Sequence, residues 1–148
     1  MELSSTAFSN GGAIPRRFGY GEDNVSPPLE IGGVPDGTES LALVIDDPDA
    51  MEPAGRVWDH WVVWNIPPGT RRIPEGSLPE EAEEGTTDYG ETGYGGPNPP
   101  DREHTYRFRL YALDTRLDLP ASARKADLEK TMNGHVLERA DLSGTYAP

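Results

Sequence analysis

Hydrophobic and polar positions along the chain follow the two-residue period of β-strands in three stretches and helical spacing in one. Residues 40–46 (SLALVID) are β-rich, 60–66 (HWVVWNI) are dense in valine and tryptophan, and 105–113 (TYRFRLYAL) alternate polar with apolar. A weaker strand pattern at 142–146 (LSGTY) closes the chain. Turn chemistry separates them: GVPDGT at 33–38, IPPGT at 66–70 and the long DYGETGYGGPNPPDRE at 88–103. The helical pattern lies at 120–133 (PASARKADLEKTMN), with Ser122 placed to cap, Ala126, Leu128 and Met132 in partial register, and Gly134 as the stop. A second helical turn is expected at HVLERA, 135–140. No repeat or domain boundary is visible, so 1–148 reads as a single all-β domain, a β-sandwich with one or two short helices late in the chain.

Side chains alternate faces along a strand, so parity shows which polar groups share a face with the core. Leu41, Leu43 and Ile45 share one face, and Asp47 follows on it at the strand's exit. Val62, Trp64 and Ile66 share a parity with His60 at the entrance of the second strand; Phe108 and Leu110 share one with His104 and Tyr106 at the entrance of the third. If the first strand runs antiparallel to the other two in a common sheet, Asp47, His60, His104 and Tyr106 gather at one end of the core as the rim of a shallow pocket. A strand-initial histidine is more often structural, and Asp-Pro-Asp at 47–49 is ordinary turn chemistry. Convergence on one end singles these residues out. Asp46 and Asp59 are expected to face solvent, and His135 to play a structural part near the pocket's edge. The loop GYGGPNPP (93–100) reads as a pocket wall, with Gly95 and Gly96 allowing close backbone approach to a ligand and the prolines stiffening it. It lacks the lysine of a phosphate-binding GxxxxGK[ST] loop and leads to a strand.

Composition narrows the chemistry. The 17 glycines and 15 prolines suit many short strands, and the absence of cysteine excludes disulfides, zinc thiolates and thiol catalysis together. Acids outnumber bases 26 to 13, for a formal charge of −13, which disfavours nucleic acid as a partner. Only Lys125 and Lys130 are lysines, a balance that would also suit a salt-rich cytoplasm. The opening MELSSTAFSN has no basic region or apolar run, and no stretch approaches the roughly 20 apolar residues of a membrane helix. The expectation is a soluble cytoplasmic protein, with no integral membrane association and with PEEAEEG (79–85) as a solvated loop.

The stretches GYGEDNVSPPLEIGGVPDGTESLALVIDDPDA, WDHWVVWNIP, YGETGYGGPNPPDREHTYRFRLYALD and MNGHVLERADLSGTY resemble, in order from Gly19 to Tyr146, the phosphatidylethanolamine-binding protein family in its bacterial and archaeal, Raf kinase inhibitor-like branch. The resemblance implies a Greek-key β-sandwich with an anion pocket at one end, no cofactor or metal, and no established catalytic role. Position by position it assigns ligand binding to Asp47 and Asp49, to His60, to Gly96, Pro99 and Pro100 in the glycine-proline loop, and to His104 and Tyr106. The ligand class is a small anion: phosphate, a phosphorylated headgroup or a carboxylate. Two departures stand out. Met51 follows Ala50 where the family usually has proline, and proline waits until Pro53; Gly55 and Arg56 stand roughly where eukaryotic members carry a pocket tyrosine. The chain also lacks the C-terminal helix of those members, so kinase regulation through it is not inferred. Bacterial relatives commonly dimerise, and an exposed tryptophan-rich strand would suit that.

An anion beside aspartates implies that the carboxylates hold one or both imidazoles protonated as donors, with Tyr106 adding another, and affinity then falls as pH rises through the histidine pKa. Two alternatives use the same residues. Asp47, Asp49, His60 and His104 could serve a metal-assisted or acid–base hydrolase, although Ser26, Ser40 and Ser77 lack a nucleophile signature. Alternatively, the pocket could dock an anionic residue of a protein partner, as an inhibitor of a kinase or protease would.

Overall fold

A computed structural model of the chain describes residues 1–148, and its centre is β4 (Ser40–Asp47), in which every residue is buried. That strand pairs antiparallel with β5 (Trp58–Ile66) on one side and β8 (His104–Leu113) on the other, the arrangement that brings the predicted pocket ends together. The sheet runs to six strands in the order β2 (Gly12–Ala13), β9 (Val136–Tyr146), β8, β4, β5 and β7 (Glu83–Glu84). A second sheet of three strands orders β1 (Glu2–Ser4), β3 (Leu29–Gly32) and β6 (Arg72–Ile73). Neither sheet closes on itself.

The larger sheet is covered on both faces. Leu41, Leu43, Ile45, Trp61, Val63, Phe108 and Leu110 join Leu29, Ile31 and Ile73 of the smaller sheet in a core of 20 buried residues. Ala42, Val44, Val62, Trp64 and Leu113 face the other way, toward Leu128 and Met132 of α2 (Lys125–Met132). Continuous rather than alternating apolarity along β4 and β5 is what double coverage requires.

Double coverage also corrects the reading of two aspartates. Asp46 and Asp59 lie on the α2 side of the sheet and are buried, not solvated. Asp46 accepts two hydrogen bonds from Arg107 (2.8 and 3.0 Å), one from Arg109 (2.8 Å) and one from Lys125 (3.0 Å). Lys125 Nζ also lies 2.8 Å from Asp59 Oδ1, as an ion pair without hydrogen-bond alignment. Burial alone would raise the Asp46 carboxyl, but the hydrogen bonds of Arg107 and Lys125 and the nearby charges of Lys125 and Arg109 outweigh it and hold the group below its ordinary range.

Other expectations change where tertiary pairing decides. HVLERA is not a helical turn: Val136 begins β9, which pairs with β8 along its length, Ala140 opposite Leu110 and Leu142 opposite Phe108. The helix starts later than its pattern suggests, at Lys125, and Ser122 does not cap it; instead Asp127 accepts a 2.9 Å bond from the Arg124 N–H. Gly134, at φ +85°, turns the chain from α2 into β9. His135 is exposed beside Asp114 (2.8 Å), at the end of β8 opposite His104, and is no neighbour of the pocket. The acidic run is not merely a solvated loop: Glu84 and Glu83 in β7 accept from Trp61 Nε1 (2.6 Å) and Asn65 Nδ2 (3.0 Å). Trp61 and Trp64 are buried, so no exposed tryptophan strand supplies a dimer surface.

Replacing Asp46 by Asn leaves Arg107, Arg109 and Lys125 around an uncharged amide. Urea denaturation is expected to show a loss of about 3 kcal/mol, whereas Asp141→Asn, which breaks the exposed pair with Arg139, stays within about 1 kcal/mol. Equal, small effects of the two substitutions would contradict this account of the buried network.

Candidate functional site

At the end of the sheet where β4 leaves and β5 and β8 enter, a cavity of about 200 Å³ is lined by Asp47, Ala50, Pro53, Ala54, Trp58, His60, Tyr89, Asn98, Pro99, Pro100, His104 and Tyr106. Six of the eight residues singled out in the sequence therefore stand around one space. The other two stand behind it. Asp49 accepts from the Thr105 N–H (2.9 Å) and so ties the turn after β4 to the start of β8. Gly96 packs on the N-terminal segment: its N–H donates to Asn24 (2.8 Å), and a Cβ there would run into the Phe18 carbonyl and the Gly19 and Tyr20 backbone. Gly95 likewise lies against the Tyr89 ring, so these glycines let backbone approach protein, not ligand.

His60 reaches the cavity through a break in strand register. Ile45 faces Trp61 and Asp46 faces Asp59 across β4 and β5, leaving His60 as the extra residue of a bulge. The bulge sets it apart from Val62 and Trp64, which point to the α2 side, and brings it edge-on to Tyr106, with ring centroids 5.2 Å apart. Simple parity had grouped His60 with Val62, Trp64 and Ile66. A second irregularity at Asn65, with φ +56°, returns Ile66 to the inter-sheet core.

The two histidines are held in opposite states. His60 Nδ1 is 2.7 Å from the Gly95 carbonyl, which can only accept, so the proton sits on Nδ1. Gly95 N–H donates back to the His60 carbonyl at 2.9 Å. Burial holds the His60 pKa below its ordinary value, against the upward pull of the Gly95 hydrogen bond and the Asp47 charge. The ring is thus neutral and its Nε2 carries a lone pair, buried and without a partner. His104 is gripped at both nitrogens: Nδ1 by Asp47 Oδ2 at 2.6 Å and Nε2 by Asp101 Oδ1 at 2.7 Å. Burial works against its charge, but hydrogen bonds and charges from the two carboxylates outweigh burial and raise its pKa. His104 is therefore an imidazolium whose two N–H groups are already spent, and neither it nor neutral His60 is the protonated donor expected of one or both imidazoles.

Two further polar atoms of cavity-lining residues are buried without partners, Trp58 Nε1 and Tyr106 Oη. Tyr106 lies near the Asn98 backbone and the Asp47 carboxylate without a well-formed bond to either, and burial pushes its pKa up. Tyr89 closes one side, donating to the Gly96 carbonyl (2.8 Å) and stacked on Tyr20 at 3.9 Å. Trp58, Tyr89, Asn98 and Asp101 were not anticipated from sequence. Asp101 had one legible signal, its place three residues before His104.

The departures noted after the Asp-Pro-Asp motif have a local outcome. The chain forms a 3₁₀ turn at Pro48–Ala50, capped by Asp47 accepting from the Asp49 N–H (2.9 Å), and runs directly into α1 (Met51–Ala54). No cis peptide occurs, and Pro53 and Ala54 supply apolar wall. Gly55 ends α1 at φ +74°, while Arg56 turns away to Asp88 (3.1 Å) and leaves the place of a pocket tyrosine without an aromatic ring from this segment. A metal ion would find one free imidazole nitrogen here, His60 Nε2, and no group of three or more acidic or histidine side chains is arranged around one.

Comparison with known proteins agrees with this architecture. The family model described as phosphatidylethanolamine-binding protein matches residues 4–147. A protein of Methanothermobacter thermautotrophicus named UPF0098 protein is 48% identical over 151 residues, covering 99% of this chain and 98% of its own. One of Chlamydia muridarum, with the same name, is 40% identical over 148 residues at 99% and 98% coverage. Among solved structures, a phosphatidylethanolamine-binding protein homolog from Chlamydia trachomatis superposes with TM-score 0.92 at 38% identity, covering 98% of this chain and 95% of that one. YbcL of E. coli superposes with TM-score 0.91 at 31% identity, covering 98% and 96%.

The opposed histidines have a direct readout. Near pH 7, a long-range ¹H–¹⁵N spectrum is expected to show both nitrogens of one buried histidine protonated, His104, and the neutral Nδ1–H form of the other, His60. Because the His104 pKa is raised on folding, its contribution to stability is complete below the unfolded value near 6.5 and is lost as pH rises through the folded value. His60 runs the other way and costs stability as pH falls below 6.5. A neutral His104 at pH 7, or an Nε2–H proton on His60, would contradict the hydrogen bonds described.

Proposed function

The chain belongs to the phosphatidylethanolamine-binding protein family, in its bacterial and archaeal type, and we propose that it is a binding protein for a small oxyanion, held in the cavity at the end of its sheet. The observation that carries this reading is that three buried polar atoms without partners, Trp58 Nε1, His60 Nε2 and Tyr106 Oη, belong to residues lining one cavity. Buried polar groups are nearly always satisfied, so three left open around one space call for a partner that enters it. The space suits a phosphoryl or carboxylate group, with any larger remainder of the molecule extending from the mouth. Trp58 N–H and Tyr106 O–H donate to its oxygens.

The nearby aspartates do not forbid this. Asp47 directs one oxygen to the Asp49 N–H and the other to the His104 imidazolium, so its charge is locally balanced. His104 acts by offsetting the Asp47 charge rather than by touching the ligand, and Asp101 secures it from outside. A metal-assisted or acid–base hydrolase using Asp47, Asp49, His60 and His104 has less support: Asp47 and both His104 nitrogens are bonded within the wall, Asp49 is tied to the Thr105 N–H, and His60 Nε2 is the one open imidazole nitrogen. An anionic group on a protein partner would meet the same donors as a free one.

Titration calorimetry with inorganic phosphate near pH 7 tests the reading. Tyr106→Phe and Trp58→Phe each remove one donor and are expected to weaken binding about tenfold, the effect of one hydrogen bond to a charged group. No binding at millimolar phosphate, or unchanged affinity in both variants, would refute it.

A further inference from the structure

We propose that the pocket reads a proton on its ligand: it accepts an oxyacid that still carries an O–H, such as hydrogen phosphate, and discriminates against a fully deprotonated anion of the same charge and shape. This rests on the oxyanion reading above and specifies which oxyanion.

The residues lining the cavity bring two unpartnered donors, Trp58 Nε1 and Tyr106 Oη, and one unpartnered acceptor, His60 Nε2. Trp58 and Tyr106 can only usefully donate toward an anion. His60 Nε2 can only accept, because the ring's single proton is held at Nδ1 by the Gly95 carbonyl, 2.7 Å away. A ring flip, which would put Cδ2 in the place of Nδ1, would break that bond. It is also wedged by the edges of Tyr106 and Tyr89, with centroids 5.2 and 5.7 Å away. A phosphate with one O–H and at least two bare oxygens matches this count of donors and acceptor, whereas an anion with only lone pairs sets oxygen against nitrogen at Nε2.

Charge offers no substitute for the missing proton. No lysine or arginine lines the cavity, and its one cation, His104, sits between Asp47 and Asp101, so the trio carries a net −1. Protonating His60 would rescue a bare anion, but the ionisable groups facing its ring are Asp47, Tyr89 and Tyr106. Of these only Asp47 favours the cation, with both its oxygens already engaged. Burial of the ring opposes it further. Selectivity here therefore comes from hydrogen-bond complementarity, which rejects a mismatched partner because buried groups are left unpaired.

The test is a calorimetric panel on the native chain at about pH 8, above the ordinary histidine range. The ligands are hydrogen phosphate, sulfate, monofluorophosphate, in which fluorine replaces the hydroxyl, and glycerophosphoethanolamine, a lipid-headgroup diester with no phosphoryl proton. Hydrogen phosphate is expected to bind about tenfold to a hundredfold tighter than each of the others. Sulfate or monofluorophosphate within twofold of phosphate would overturn the proposal while leaving the oxyanion reading intact. The diester matching phosphate would overturn it in favour of a headgroup whose ammonium supplies the proton. Failure of every anion to bind would remove the oxyanion reading and this inference with it. His60→Asn, whose amide can turn a donor inward, should shrink the phosphate-to-sulfate ratio. Tyr106→Phe should weaken both anions and keep the ratio, a contrast that loss of folding alone would not produce.

Discussion

Two adjacent carboxylates buried on opposite faces of the central strand govern the rest of the structure. Asp46 and Asp47 close β4, and neither has appreciable contact with solvent. An uncompensated buried charge costs several kcal/mol, so each face must bring cations to it, and β8 supplies them to both. Arg107 and Arg109 reach Asp46 on one face while His104 reaches Asp47 on the other. Lys125, at the first turn of α2, completes the Asp46 cluster and fixes the helix over the sheet. One strand terminus thus sets the pairing of β4 with β8, the seat of α2 and the wall of the cavity.

The same constraint explains how a pocket with acidic walls can suit an anion. Each charge in the wall is paired rather than free, and the Asp47–His104–Asp101 trio keeps a net −1. His60 is the exception to regular strand geometry that makes this work. An extra residue in β5 turns its ring toward Tyr106, and the glycine-proline loop fixes which nitrogen carries the proton through a reciprocal pair of bonds with Gly95. The loop's close packing on residues 18–20 and on Tyr89 keeps that carbonyl in place.

Much of this was legible in the chain, and the failures share a cause. Parity along β4 and β8 placed Asp47, His104 and Tyr106 on one face because those strands are regular there. For His60 parity predicted the right location from the wrong neighbours, since a bulge cannot be seen in a hydrophobic pattern. Asp46 and Asp59 were misread as solvated because alternation cannot separate a solvent face from a second buried face bearing ion pairs. HVLERA contains good helix formers, yet the pairing of Ala140 and Leu142 with the middle of β8 outweighs propensity. Trp58 enters the site as the strand partner of Asp47 at the start of β5, and Tyr89 from a loop that only the folded chain brings there.

A net charge of −13 sets the terms on which such a site can discriminate. Repulsion of anions by the surface as a whole is screened beyond about 10 Å at moderate salt, and it acts on sulfate and phosphate dianions alike. Basic side chains around the site are paired with carboxylates: Arg107, Arg109 and Lys125 with Asp46, Arg56 with Asp88, and Arg102, 3.8 Å from both Asp49 and Glu52. What remains to distinguish one small anion from another is the direction of individual hydrogen bonds inside a buried space, where salt has little effect. An acidic protein that spends its cations on structure can still hold an anion, provided that its donors and its one acceptor match the ligand's own.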